Sequence, residues 1–416
     1  MLKVYLFFLG IFCFCVPRVE STLKFVQIWY RHGERLPTHY LSFPGDDPTD
    51  LKYLQLAYPG ELTNRGLYQE FTLGENMKNI YGSHFGPIYR PPEFKVFTGK
   101  DNRTSTSAQA FFAGFWPPAK SQQWNSQLNW IPIAQETDES LDWVSLGVFE
   151  NCPVYSNSVT GTEAYKQIGN DIEATMPEFV KLLRNKTGDP LNTPNLLNHV
   201  IDSLKVRLLI GSDLLPLPKW AIGWEGAIID ASYIIHDSIV KFQNEQVGYY
   251  HNELIMSFFE NHLKTNKTKG IFISGHDTNL VAIWESLKFK NAPRDIPNFG
   301  GSLSIELHEI NGEHIVKFFL SMGFNQTRVA IGPELCSNNI CTLEQLRNIT
   351  QNSRKLRETW VYECTGLTKT EPTITGTMIV ILAILLLITI ILGYTTFSYK
   401  KQLNNLRDPE RVRLLH

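Results

Sequence analysis

Five consecutive residues, Arg31-His32-Gly33-Glu34-Arg35, carry the strongest chemical signal in the chain. A histidine can attack phosphorus through a free ring nitrogen and hold the phosphoryl group as a phosphoramidate, which divides one difficult displacement into two easier ones. Guanidinium groups beside it suit the equatorial phosphoryl oxygens, because paired charge-assisted hydrogen bonds match phosphate geometry. Gly33 allows the backbone to approach a ligand closely. Downstream, His276-Asp277 lies within Ser274-Gly275-His276-Asp277-Thr278-Asn279. A carboxylic acid there can protonate an alkoxide as it leaves, and a second imidazole, when protonated, can donate to the phosphoryl group. Arg103, within Asp101-Asn102-Arg103-Thr104, is a further candidate cation. Taken singly, a His-Asp pair is common and an arginine is by default an exposed turn residue. Their shared placement at strand ends gives them weight.

Those strand ends can be read from the pattern. Leu23 to Tyr30 is a β-rich run that leads directly into Arg31, and Gly270 to Ser274 leads into His276-Asp277. Phe94 to Phe97 is a third short strand, ahead of Arg103. Ligands of open α/β sheets bind outside the carboxyl ends of the strands, so the three runs aim their charged residues at one region. Thr63 reads as the N-cap of an amphipathic helix reaching about Tyr81, and a small-residue helix from about Thr104 to Phe115 is stopped by Pro117-Pro118. Trp130 to Ile133 is expected to be a further strand, and 279–287 a helix. Ser302 to Leu307 and Glu313 to Leu320 alternate as a hairpin around Asn311-Gly312. Between Ser140 and Tyr250 helical segments alternate with turns such as Leu215-Pro216-Leu217-Pro218, the pattern of an inserted cap.

The chain is 416 residues long, 43% hydrophobic and 19% charged, which fits a folded protein with a sizeable core. Its net charge of −2 gives no support to nucleic-acid binding, which requires a concentrated excess of Lys and Arg. Lys3 precedes an apolar run from Val4 to Val16, the pattern of a secretory signal peptide occupying 1–20. Residues 376–397 contain no charge and are long enough to cross a bilayer; Lys400, Lys401, Arg407, Arg411 and Arg413 follow. Together these predict a single-pass type I membrane protein with a cytosolic tail at 398–416. Outside the presumed signal peptide are Cys152, Cys336, Cys341 and Cys364, which can pair in three ways. Close spacing favours Cys336 with Cys341, leaving Cys152 for Cys364. Zinc binding is the competing reading, and no CxxC spacing supports it. Sequons at Asn185, Asn266, Asn325 and Asn348 are expected to be glycosylated. Asn102 is also a sequon but is expected to be too buried beside Arg103.

The motifs RHGER-LP and SGHDTN, the run from Leu62 to Gly74, residues 102–118 (NRTSTSAQAFFAGFWPP) and Asn151-Cys152-Pro153 together resemble the histidine acid phosphatase family, in its lysosomal and prostatic group. The resemblance covers roughly residues 23 to 365. It implies an α/β fold, a central mixed sheet flanked by helices as in phosphoglycerate mutase, with a smaller mainly helical cap. The ectodomain would span 21–370, with its core at 21–139 and 251–365 and its cap at 140–250. His32 would then be the nucleophile and Asp277 the proton donor, with Arg31, Arg35, Arg103 and His276 on the phosphoryl oxygens and no cofactor or metal. Glu34 and Asn102 stand where relatives often have Asp, and one disulfide common in the group lacks its cysteines.

The expected activity is hydrolysis of small phosphate monoesters through a phosphohistidine, with an acidic optimum because an aspartic acid of ordinary pKa, about 3.9, must be protonated to act. A narrower phosphosugar, inositol phosphate or lysophospholipid phosphatase shares this chemistry, and a catalytically inactive surface or adhesion ectodomain is the alternative of a different class. The membrane is an expected partner. A homodimer stays open, as does a sorting adaptor at Leu414-Leu415, four residues after Glu410; an ordinary basic tail is the plain alternative. The expected location is lysosomal, endosomal or cell-surface, with the catalytic domain lumenal or extracellular.

Overall fold

The structure, a computed structural model, describes residues 21–47, 58–144, 151–210, 215–243, 247–293, 295–367 and 373–406. The presumed signal peptide and the Leu414-Leu415 pair lie outside them. Residues up to Thr365 form one compact unit, and the chain from Gly366 onward forms a second.

The first unit is built on a mixed sheet. Its strands are β1 (Thr22–Arg31), β2 (Phe94–Thr98), β3 (Glu136–Thr137), β4 (Gly270–Gly275), β5 (Phe289–Lys290), β6 (Ser302–Ile310), β7 (Glu313–Ser321), β8 (Val329–Pro333) and β9 (Ile340–Thr342), in the order β3-β2-β4-β1-β6-β7-β8-β5, with β9 beside β7. β3, β2, β4 and β1 run parallel, whereas β6, β7 and β8 continue antiparallel from β1. Alternation along β1 explains its central place. Phe25 and Trp29 point into one apolar layer, Val26, Ile28 and Tyr30 into the other, and all five are essentially buried.

Helices cover both faces. On one side lie α1 (Asn64–Phe85) and α2 (Asn102–Phe115), which bring Leu73, Met77, Phe111 and Phe115 onto Val26, Ile28 and Phe272. Thr63 caps α1, its hydroxyl accepting from the Gly66 N–H at 3.0 Å. Among the described residues, five α-helices follow between the two halves of the sheet: α3 (Pro153–Val159), α4 (Glu163–Thr175), α5 (Pro177–Thr187), α6 (Pro194–Ile210) and α7 (Glu225–Gln243). They bury their own apolar cluster around Ile172, Phe179, Leu183, Ile201, Leu204 and Ile228. α8 (Tyr249–Thr265) and α9 (Asp277–Ser286) then cover the second face, with Met256, Phe259, Ile283 and Trp284 against Phe25 and Trp29. α10 (Leu343–Thr350) and α11 (Arg357–Thr365) complete the unit.

The strand expected at Trp130–Ile133 does not form; Pro132 cannot donate to a ladder, and the sheet edge is instead the two-residue β3. The hairpin turn is as expected, with Asn311 and Gly312 both at positive φ. Cys152–Cys364 and Cys336–Cys341 are disulfides, with Cα separations of 4.3 and 5.0 Å. The first ties α3 to α11.

In the second unit, α12 (Thr373–Leu406) is one continuous helix. Its stretch Val380–Asn405, with mean hydropathy 2.6, is long and apolar enough to cross a membrane. It begins a few residues later and ends later than the 376–397 segment marked by charge alone.

Candidate active site

Parallel pairing sets the carboxyl ends of β1, β4 and β2 side by side, with Arg31 opposite Gly275 and Thr98 opposite Ser274. The residues that follow these strands are therefore neighbours in space although far apart in sequence. A cavity of about 450 Å³ opens there, lined by Arg31, His32, Arg35, Arg103, His276 and Asp277. All six candidates read from the sequence meet in it.

His32 leaves β1 with its backbone fixed from both sides: its N–H donates to the Gly275 carbonyl at 2.9 Å and its carbonyl accepts from Gly300 at 3.3 Å. Its Nδ1 lies 2.8 Å from the Gly33 carbonyl. A carbonyl can only accept, so Nδ1 carries the proton and Nε2 keeps its lone pair. The nucleophilic tautomer is thus set by the neighbouring backbone. The His276 ring stands with its centroid 5.4 Å from that of His32.

Gly33 has a different role from the expected approach to a ligand. A Cβ built on it would lie 2.3 Å from the Gly66 carbonyl oxygen, and one on Gly66 would lie 2.1 Å from the Glu34 oxygen. The motif loop and the start of α1 therefore cross backbone to backbone. Glu34 is turned away from the cavity, accepting from Thr63 Oγ1 at 2.8 Å and pairing with Arg65. It locks the loop onto α1. Gly33→Ala is expected to destabilise the fold by about 3 kcal/mol, since neither backbone can yield. Denaturant titration of the full-length protein checks this, and a midpoint within error of wild type would contradict it.

The cations are matched by carboxylates. Arg31 pairs with Asp277 at 3.0 Å and stacks over Phe299, 4.4 Å from the ring centre. Arg35 grips Asp202 with both nitrogens, at 2.9 and 3.2 Å, and Arg103 pairs with Asp101. His276 Nε2 is 2.8 Å from Asp142, and its backbone N–H donates to Asn279 Oδ1 at 2.7 Å. Asn279 in turn donates to the Leu141 carbonyl at 3.1 Å, which joins α9 to the loop carrying Asp142. Asp101, Asp142 and His276 are close enough for a metal cluster, but they already bond one another and Arg103, and no second feature points to an ion.

Burial, followed by Arg103, Arg31, His276 and Arg35, pushes the His32 imidazole well below its ordinary value. The nucleophile is therefore neutral in acid. Burial alone would raise the Asp277 carboxyl, yet the cations beside it, Arg31 above all and then Lys205, outweigh it and hold the group well below the usual carboxylate range. Asp277 therefore departs from the ordinary pKa expected of it: its surroundings favour the ionised carboxylate.

Several lining residues were not singled out from the sequence. Asp202 and Lys205 come from α6, and Ser232 and His236 from α7. Nothing in the local sequence marks Asp202, which with Lys205 three residues on reads as an ordinary helical charge pair. Asn102 also differs from expectation. It is exposed at the start of α2, its amide donating to Glu61 at 3.0 Å, because Arg103 points inward while the preceding side chain points out. Asn185, Asn266, Asn325 and Asn348 are exposed as well.

The model of the histidine phosphatase superfamily, branch 2, matches residues 22–220. The chain is 27% identical to the venom acid phosphatase Acph-1 of Apis mellifera over 74% of its own length and 79% of that protein. It is also 27% identical to the lysosomal acid phosphatase of Xenopus laevis, over 91% and 87%, and 26% identical to the prostatic acid phosphatase of Bos taurus, over 74% and 78%. Among solved structures, the apo phytase of Hafnia alvei superposes with a TM-score of 0.56 at 15% identity, covering 80% of this chain and 97% of that one, which is a likeness of fold. The N-terminal part of the chain thus matches branch 2 of the histidine phosphatase superfamily, and the curated relatives to which the chain is similar are acid phosphatases.

Proposed function

We propose that the protein is an acid phosphatase that hydrolyses phosphate monoesters through a phosphohistidine on His32. The observation that carries this reading is one cavity in which a neutral imidazole with a free Nε2 shares space with three arginines and a carboxyl group. Arg31, Arg35, Arg103 and His276 would bind the phosphoryl oxygens. The Nε2 lone pair attacks phosphorus as the bond to the alcohol oxygen breaks, and Asp277 passes a proton to that oxygen. Water then attacks phosphorus, Asp277 takes the water proton, and the N–P bond returns its electrons to His32.

The ionised Asp277 decides where the first proton originates. A free carboxyl held this low is not protonated even in mild acid, so the proton arrives with the substrate as its monoanion. Second ionisation of a phosphate monoester falls near pH 6. On binding, the phosphoryl charge offsets the surrounding cations that held Asp277 down, and the proton can pass to the carboxyl and then to the leaving oxygen. Activity therefore falls as pH rises through the ester's own second pKa. The test is phosphate release from two aryl phosphates whose second pKa values differ. The alkaline limb of kcat/KM should move with the substrate. A limb fixed at one pH for both esters would assign it to the protein, and no release at all would remove the phosphatase reading.

We place the catalytic unit on the lumenal or extracellular side of a lysosomal, endosomal or surface membrane, as a type I protein. This rests on the apolar helix near the C-terminus, on two disulfides, which persist in oxidising compartments, and on five exposed sequons, Asn102 included.

A further inference from the structure

The cap side of the cavity holds a cation that the phosphoryl chemistry does not employ. Arg31, Arg35 and Arg103 each have a carboxylate partner. Lys205 has none within ion-pair distance among the described residues; its Nζ donates to Ser232 Oγ at 2.9 Å. One helical turn beyond Ser232 on the same face of α7, His236 lines the same cavity, is only 7% exposed, and leaves its Nε2 buried without a partner among the described residues. Desolvation in this wall lowers Lys205 to about 8, where it is still charged in acid, and lowers His236 to about 4, where it is neutral. A charged amine, a hydroxyl and an unpaired imidazole nitrogen thus face one space, and unpaired buried polar groups are costly unless a ligand completes them.

Their position points to the leaving group. Both Lys205 and His236 line the cavity together with Asp277, the residue that handles the alcohol oxygen, while the phosphoryl oxygens have the arginines and His276. The nearby acids do not repel a further anion strongly, because Asp277 is already paired with Arg31 and Asp202 with Arg35. One lysine balances one negative charge, so a carboxylate fits better than a second phosphate dianion.

We propose that Lys205, Ser232 and His236 form a subsite for a carboxylate on the leaving alcohol, making phosphate monoesters of small hydroxy acids the preferred substrates. This rests on the phosphatase reading above and names its substrate class.

The test compares 3-carboxyphenyl phosphate with its neutral match, 3-carbamoylphenyl phosphate, using the full-length protein at a pH of about 5.5, where an ordinary carboxyl is ionised. Wild type should prefer the carboxylate ester about tenfold in kcat/KM, the scale of one charge-assisted hydrogen bond. Lys205→Met should bring the ratio to about one, and Lys205→Arg should keep part of it. The ratio is insensitive to a partly misfolded preparation, since both esters lose equally. A wild-type ratio near one overturns the subsite. So does a Lys205→Met variant that slows both esters by the same factor, which would mean that the lysine acts only through Asp277. Weakening of inorganic phosphate inhibition by as much as the carboxylate ester would place Lys205 on the phosphoryl group and also overturn it. Hydrolysis of neither ester overturns the phosphatase reading itself.

Discussion

Replacing His32 with alanine is expected to remove phosphate release almost completely, by at least about 10⁴-fold in kcat, because the variant has no nucleophile that can form the covalent intermediate. His276 cannot take over. Its ring centroid is 5.4 Å from that of His32, and its Nε2 is engaged by Asp142. The arginines would remain, so inorganic phosphate should still bind. Loss of turnover with retained phosphate binding is the signature expected, measured by phosphate release alongside product inhibition or calorimetry. His32 is neutral and surrounded by cations, so its removal relieves no ion pair, and the variant should fold. Residual turnover within about tenfold of wild type would mean that water attacks directly and that His32 only positions.

Asp277→Asn is expected to produce the second largest effect, and one that depends on the leaving group. An amide cannot deliver a proton, so alkyl esters should lose about 10² to 10⁴-fold in kcat/KM. A nitrophenyl ester, whose phenolate leaves without help, should lose far less in the first step. Its second step still requires deprotonation of water, so the phosphohistidine should accumulate and a burst of nitrophenol should precede slow turnover. Arg31 also loses its 3.0 Å partner, which frees it to bind phosphate more tightly, so KM should fall rather than rise. Equal losses for alkyl and nitrophenyl esters would remove Asp277 from the leaving-group step.

Much of the site was legible because strand ends are written in short local patterns. An apolar run followed by charged residues marks Arg31 to Arg35 and His276-Asp277, and parallel pairing of β1, β4 and β2 then brings them together. The register that does this, Arg31 beside Gly275, depends on long-range pairing across more than two hundred residues. No local pattern displays it. For the same reason Lys205 and His236 were missed: on α6 and α7 they read as ordinary helical polar residues until the cap is folded over the sheet. Gly33 was legible as a glycine that mattered, but its partner, the Gly66 backbone, is another element altogether. The ionisation of Asp277 was the furthest from reach. It depends on cations drawn from separate parts of the chain, Arg31 at the end of β1 and Lys205 on α6. Where the sequence pattern failed locally, at Trp130–Ile133, a single proline was enough to keep the segment out of the sheet.

Identity of the covalent intermediate tests the central claim most directly. Acid is known chemically to cleave a phosphoramidate while alkali spares it, so the full-length protein should be quenched in alkali during turnover and the peptide containing His32 analysed by mass spectrometry, using Asp277→Asn with nitrophenyl phosphate to enrich the species. The account predicts an added phosphoryl group on His32 that disappears on brief acid treatment. Finding it on another residue, or finding steady turnover with no modified peptide under conditions that show a burst, would contradict the account.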